Sequence, residues 1–224
     1  MKETKNPRIG DSSDKFQILR ENMVETQIIA RGISDGRVIE ALKKVPRHMF
    51  VDQKYIDSAY DDSPLPIGSG QTISQPYIVA LMTENLELTG KDKVLEIGTG
   101  CGYNAAVLSR IASHVYSIEI VQWLANLARE NLDIAGVENV STKFGDGFRG
   151  WPEKAPFDRI VVTAATSYIP KPLKKQLKTG GKLLAPVSNT LQKLILMEKI
   201  SENEFKEHDL IYVRFVPMTG ESEK

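Results

Sequence analysis

The stretch Val94 to Tyr103, VLEIGTGCGY, places the carboxylate of Glu96 two residues ahead of three glycines, Gly98, Gly100 and Gly102. A short apolar run ending this way predicts a strand that delivers the chain to a tight turn, where glycine lets a ligand approach the backbone closely. The spacing is GxGxG. Tyr103 stands where the last glycine of the dinucleotide fingerprint GxGxxG would fall, and the phosphate-loop pattern GxxxxGK[ST] is absent from this turn. Two further elements follow. The next apolar run ends in Glu119, about twenty residues beyond the turn, where a carboxylate can accept hydrogen bonds from both hydroxyls of a ribose. The run after that ends in Gly145, Asp146 and Gly147, a short acid between glycines that suits the exocyclic amine at the edge of a base. Together these residues describe a pocket for an adenosine.

Glu96 narrows the choice of ligand. A carboxylate at the end of the first strand repels a pyrophosphate and attracts an ammonium or sulfonium group. An adenosine carrying a positively charged, amino-acid-like tail is S-adenosylmethionine, which becomes the expected cofactor, with S-adenosylhomocysteine as its product. Taken singly, Glu96 and Glu119 also suit solvated charges, and Asp146 suits a turn former. Their recurrence on consecutive strand-helix units favours the pocket.

The elements that must position these residues follow from periodicity. Residues 1–13 carry Gly, Pro, Ser and charge without apolar period, so a flexible tail is expected there. Phe16, Leu19 and Met23 then recur at helical spacing, and Val38, Leu42 and Val45 form a second stripe that Pro46 stops. The text DDSPLPIGSGQTISQP from Asp61 to Pro76 reads as a long loop serving a site. A helix from Ile78 to Leu88 follows it. Beyond lie strands Val94 to Ile97, Val115 to Glu119, Val140 to Phe144 and Ile160 to Thr163, with helices Asn104 to Ile111 and Gln122 to Ile134 between the first three. Such repeats predict a parallel sheet with helices on both faces. Lys182 to Val187, Leu194 to Ile200 and Leu210 to Val216 read as strands, the last two forming an antiparallel hairpin. The expected organisation is one structural domain: a tail (1–13), N-terminal helices with an active-site loop (14–76), and an α/β Rossmann-like core (77–224).

Composition bounds the rest. The 224 residues hold 29 Lys and Arg against 29 Asp and Glu, so no net field exists to grip a polyphosphate, and a nucleic-acid partner is not expected. Lys171 to Lys178 is the one basic stretch to watch. A single cysteine, Cys101, rules out an intrachain disulfide or a cysteine-built zinc cage and fits a reducing compartment. No apolar run approaches membrane-spanning length. The expectation is a cytoplasmic protein, with no membrane association and no bound metal, acting as a monomer.

With these residues in view, the chain resembles the protein-L-isoaspartate O-methyltransferase family from about Met23 to Pro217. The likeness runs through MVETQIIARGISDGRVIEALKKVPRHMFV, PLPIGSGQTISQPYIVALMTENLEL, VLEIGTGCGYNAAVLSRI, VSTKFGDGFRGWPEKAPFDRIVVTAA, IPKPLKKQLKTGGKLLAPV and VRFVP. GQTISQP is its most specific part, since glycine-rich cofactor turns occur across related methyltransferases and this loop does not. The resemblance implies a class I S-adenosylmethionine-dependent methyltransferase fold with rearranged last strands. It also implies an enzyme that methylates isoaspartyl residues of damaged proteins and peptides as the first step of their repair. Ser74 takes the position of the family's active-site serine, and Gln75 and Pro76 lie where the loop meets the cofactor. Many members carry Ser where this chain has Cys101, a change that keeps size.

The implied chemistry needs little from the protein in proton transfer. An isoaspartyl linkage leaves a free α-carboxylate that is ionised at neutral pH and attacks a methyl carbon without a base. His48, His114 and His208 are accordingly expected to be structural or solvated. Neutral donors suit the acceptor site better than a fixed Lys or Arg, which would hold the ground-state anion too tightly. Thr72 and Ser74 are the candidates, with Thr163 at the floor and residues 61–76 and VRFVP as walls of a peptide groove. The rivals are a methyltransferase acting on RNA or a small molecule, a binding module for damaged proteins, and a nicotinamide oxidoreductase. Neutral charge and the lack of an Asn/Asp-Pro-Pro-aromatic tetrapeptide count against the first, the intact GQTIS loop against the second, and Glu96 with Tyr103 against the third.

Overall fold

A computed structural model describes residues 14–188 and 190–221, so the expected tail, residues 1–13, lies outside the described residues. The chain opens with α1 (Asp14–Met23), prolonged by single turns at Val24–Ile28 and Ile29–Arg31, and then α2 (Gly36–Lys44). Gly32, with φ of 95°, ends the first helical run. The Asp35 carboxylate caps α2 by accepting the Arg37 N–H at 2.8 Å. Val38, Ala41 and Leu42 form its buried stripe. Short 3-10 turns at Arg47–Phe50 and Gln53–Ser58 lead into the segment expected to be a loop.

That segment is a small β-hairpin, β1 (Leu65–Gly68) against β2 (Gln71–Ile73), which forms a two-stranded sheet of its own. Leu65 and Ile67 point inward while Pro66 and Gly68 face out, a two-residue period hidden in the sequence by proline and glycine. The helix α3 (Pro76–Asn85) starts immediately afterwards with proline in its first turn, where a missing N–H costs nothing.

The main sheet then assembles from β3 (Lys93–Ile97), β4 (His114–Glu119), β5 (Val140–Phe144), β6 (Phe157–Val162), β7 (Leu177–Ser188), β8 (Gln192–Lys199) and β9 (Phe205–Tyr212). The intervening helices are α4 (Tyr103–Ser109), α5 (Gln122–Ile134) and α6 (Lys171–Gln176). Strand order is β5-β4-β3-β6-β7-β8-β9. The first five of these positions are parallel, and β7, β8 and β9 pair antiparallel. The expected closing hairpin is therefore present, longer than the sequence suggested, and β9 stops at Tyr212, so the VRFVP segment runs outside the sheet.

The two faces are covered unequally. Crossovers β3-α4-β4 and β4-α5-β5 proceed in the same direction, so right-handed connections put α4 and α5 on one face, where the N-terminal helices join them in the larger core. The other face carries α6 and the 3-10 turns near Phe148 and Trp151, packed on Leu95, Ile97, Phe157 and Ile160. Along β3, Val94 and Glu96 face the first layer while Leu95 and Ile97 face the second. Between β3 and β6 the strand order reverses direction, which opens a crevice beyond their C-terminal ends.

Candidate active site

The crevice holds a cleft, open to solvent, built from the ends of β3, β4 and β6. Gly98 and Gly100 form its base, Glu119 and Val121 one wall, Gly147 and Thr163 the other, and Ile67, Gln71 and Thr72 of the hairpin its cover. Residues 216–219 complete its lining. A second, smaller cleft adjoins the first, sharing Gly98, Gly100, Thr72 and Thr163 and adding Ser74, Cys101, Tyr103 and Asn104. Among the described residues, no lysine, arginine or histidine lines either cleft.

The turn is fixed by its own hydrogen bonds. Gly98 N–H and Thr99 N–H donate to the Ile118 carbonyl, and Gly102 N–H donates to Thr99. Gly100 N–H donates to the Glu119 carboxylate at 2.8 Å. These groups are thereby spent inside the protein, whereas a phosphate-binding turn would leave them free for the ligand. Gly98 and Gly100 adopt φ of 97° and 56°. A Cβ on Gly98 would lie 2.3 Å from the Thr163 hydroxyl, which itself donates to the Gly98 carbonyl at 2.7 Å. Gly102 plays a different part from the one expected: its missing side chain leaves room for Leu132 and Ala128 of α5, so it packs the turn onto a helix and does not line either cleft.

Glu119, expected to hold a ribose, lines the first cleft. One carboxylate oxygen accepts Gly100 N–H and the other accepts Val121 N–H at 2.9 Å, which aims the group into the cleft and leaves lone pairs for further donors. Glu96 differs from expectation. It is fully buried beneath the turn, accepting from Asn104 Nδ2 at 2.7 Å and from the Ser117 hydroxyl, and it does not touch the cleft. The Thr99 and Ser117 hydroxyls are 2.6 Å apart and extend this network. Burial pushes the Glu96 carboxyl up to about 7, against the opposing pull of Ser117 and Asn104. Asn104, the second residue of α4, lines the second cleft and was missed by motif reading.

Asp146 also faces elsewhere than predicted. Its carboxylate accepts Phe148 N–H at 2.9 Å and Glu221 N–H at 2.9 Å, so its partners are its own turn and the chain's last described residues. Gly220, with φ of 97°, makes this approach possible, since a Cβ there would sit 2.6 Å from the carboxylate. Gly147 does line the cleft, against Ile97. Gln75 lines neither cleft; its amide donates to the Asp62 carbonyl at 3.1 Å and braces the base of the hairpin. Thr72, Ser74 and Thr163 line the second cleft together, and Gln71, which was not predicted, lines the first.

Behind the second cleft lies an unusual charge. Arg47 is fully buried with Nε donating to the Ala59 carbonyl at 2.8 Å and its guanidinium 4.9 Å from the Tyr103 ring centre. Desolvation lowers its pKa. Burial likewise pushes the Cys101 thiol up to about 11 and the Tyr103 hydroxyl up to about 12, so both are neutral. The histidines stand apart, as expected: His48 is stacked on Phe16 at 4.1 Å, His114 is 2.9 Å from the Ser141 hydroxyl, and His208 lies on the edge strand β9.

The residues present fit S-adenosylmethionine. The cleft has apolar walls from Ile97, Ile118, Ile120 and Met218, the Glu119 carboxylate, a second carboxylate under the turn and, among its described lining residues, no cation to repel a sulfonium. Comparisons with known proteins point the same way. The family described as protein-L-isoaspartate(D-aspartate) O-methyltransferase (PCMT) matches residues 19–223. The protein-L-isoaspartate O-methyltransferase of Syntrophus aciditrophicus is 52% identical over 211 residues, covering 93% of this chain and 97% of the relative. Protein-L-isoaspartate O-methyltransferase 2 of Pelobacter propionicus is 54% identical over 203 residues, 90% of each chain. A solved protein-L-isoaspartate O-methyltransferase superimposes with a TM-score of 0.83 at 32% identity, over 91% of this chain and 67% of the other. A Plasmodium falciparum protein described as a beta-aspartate methyltransferase, solved in complex with S-adenosyl-L-homocysteine, shares the fold with a TM-score of 0.78 at 24% identity, over 89% of this chain and 98% of its own. A match spanning the clefts and the elements that build them, with relatives identical at about half their positions, places the chain in the protein-L-isoaspartate(D-aspartate) O-methyltransferase family.

Proposed function

We propose that the chain transfers the methyl group of S-adenosylmethionine to the free α-carboxylate of L-isoaspartyl residues in proteins and peptides, starting their repair. The observation that carries this reading is a pair of adjoining clefts with no cationic or histidine side chain among their described lining residues, one with the Glu119 carboxylate for a charged adenosine, the other with the Ser74 hydroxyl. When bound, S-adenosylmethionine supplies an electrophilic methyl group on a positively charged sulfur. Glu119 holds the ribose side. Glu96, in its ionised form, adds negative potential through the turn, and Asp146 holds the turn from which Gly147 bounds the base end. Gln75 braces the loop.

The substrate carboxylate needs no base, so the protein contributes alignment and exclusion of water. The Ser74 and Thr72 hydroxyls orient the acceptor carboxylate, and Thr163 fixes the floor while tying β6 to the turn through the Gly98 carbonyl. Opposite charges cancel as the methyl moves, which favours these neutral donors over a lysine or arginine. The groove walls proposed for the substrate backbone are the hairpin and residues 213–217. Among the described residues no helix is long and apolar enough to cross a membrane. The setting proposed is cytoplasmic, which the single, buried cysteine supports, and the chain is proposed to act as a monomer.

The test is methyl transfer from labelled S-adenosylmethionine to two peptides identical except for Asp or isoAsp at one position. Label on the isoAsp peptide alone, released by mild base as a methyl ester must be, is the expected result. Equal labelling of both, or none on either while S-adenosylhomocysteine binds, would move the acceptor assignment elsewhere.

A further inference from the structure

We propose that Trp123 is a positioning residue that latches the β1–β2 hairpin over the cofactor cleft and so sets how long the cofactor stays. This rests on the cofactor reading above and adds to it a residue outside both clefts. The hairpin bonds to no strand of the main sheet, so its closed position depends on contacts at its base and tip. Its base is buried through Leu65, Ile67 and Ile73. Its tip is held from the first turn of α5: Trp123 Nε1–H donates to the Ser69 hydroxyl at 2.7 Å.

The fit between tip and indole is steric as well. Gly68 has φ of 97°, and a Cβ there would lie 2.5 Å from Trp123 Cζ2 and 2.7 Å from Cη2. Ser69 and Gly70 continue with φ of 49° and 71°, so three successive residues are in left-handed conformations that present the Ser69 hydroxyl to the indole. Trp123 remains 44% exposed. A hydrogen bond at such a place exchanges readily with water and contributes modestly, as a latch that must release requires. What it controls is substantial, because the same hairpin puts Ile67, Gln71 and Thr72 on the first cleft and Thr72 and Ile73 on the second. On the α5 side, Trp123 follows Ile120 and Val121, which line the ribose wall. One side chain therefore joins the wall to the cover.

The experiment measures the dissociation rate of S-adenosylhomocysteine by displacement, alongside KM and kcat on an isoAsp peptide, in the parent, Trp123→Phe, Ser69→Ala and the double variant. Each single variant is expected to speed dissociation about fivefold, the effect of one net hydrogen bond, with the double variant no faster than either. KM for S-adenosylmethionine rises accordingly while kcat holds or increases. A second readout uses Trp151→Phe, which leaves Trp123 as the sole indole of a chain with two tryptophans. Saturating S-adenosylhomocysteine should then reduce quenching by acrylamide, and Ser69→Ala should abolish that protection. Dissociation rates equal to the parent in all three variants, with unchanged quenching, would overturn the latch and leave the methyltransferase reading standing. A parent that fails to bind S-adenosylhomocysteine in calorimetry would overturn both.

Discussion

The two halves of the site are built by different means. The cofactor half is an outgrowth of the sheet: Gly98, Glu119 and Thr163 each directly follow or end a parallel strand, and backbone bonds such as Gly98 N–H to the Ile118 carbonyl fix them. The half proposed for the acceptor is applied from outside, with Ser74 and Thr72 on or beside a hairpin that pairs only with itself, is buried at Leu65, Ile67 and Ile73, and is braced by Gln75 to Asp62 and Trp123 to Ser69. A rigid floor facing a separately anchored cover lets one be exact in geometry while the other admits a bulky polypeptide.

The sharpest way to break this contrast is to disturb the floor. Gly98→Ala puts a Cβ onto the Thr163 hydroxyl in a left-handed conformation, and S-adenosylhomocysteine affinity should fall at least about a hundredfold by calorimetry. Gly90→Ala, whose nearest neighbour would be the Ile111 carbonyl at 3.9 Å, should leave binding unchanged. Parent-like affinity in Gly98→Ala would mean that the floor is not rigid.

A smaller, more selective effect is expected on the acceptor side. Ser74→Ala should lower kcat on an isoAsp peptide roughly 10- to 100-fold, the range for losing one orienting donor, with S-adenosylhomocysteine affinity untouched. Full turnover at unchanged KM would remove Ser74 from the reaction.

The smallest effect, and the most informative about the floor's electrostatics, belongs to Glu96. Its folded pKa of about 7 lies above the ordinary carboxyl value of 4.5, so between these pH values the folded chain holds a proton that the unfolded chain releases. Stability should fall as pH rises through that window and level off above it, with a slope approaching one proton. In Glu96→Gln this slope should vanish, as read from denaturant midpoints at pH 5 and pH 8. Cofactor affinity at pH 8 should drop only about tenfold, because Glu96 acts through the turn rather than by contact.

The same contrast explains what the sequence could tell. The strand-helix repeats around Glu96, Glu119 and Gly147 were legible because a parallel sheet brings every strand C-terminus to one edge, so a local pattern carries a global position. The hairpin at 65–73 was not, since Pro66 and Gly68 mask its alternation, and it read as loop. Contacts across long separations were invisible too: Trp123 with Ser69, Asp146 with Glu221, and Gly102 against α5 each depend on how elements dock. Glu96 was assigned the right sign of charge and the wrong surroundings, because burial cannot be read from a strand end. Ser74 came only from the resemblance, as nothing in its immediate residues distinguishes it from a turn.

The burial of Cys101 has a practical side. The chain's one thiol borders the second cleft yet is buried within the turn and held protonated far above neutral pH, so maleimide and disulfide reagents should pass over the folded protein. A cysteine introduced on the surface would then be the only reactive one, and a dye or spin label could be placed on the molecule without first removing the native residue.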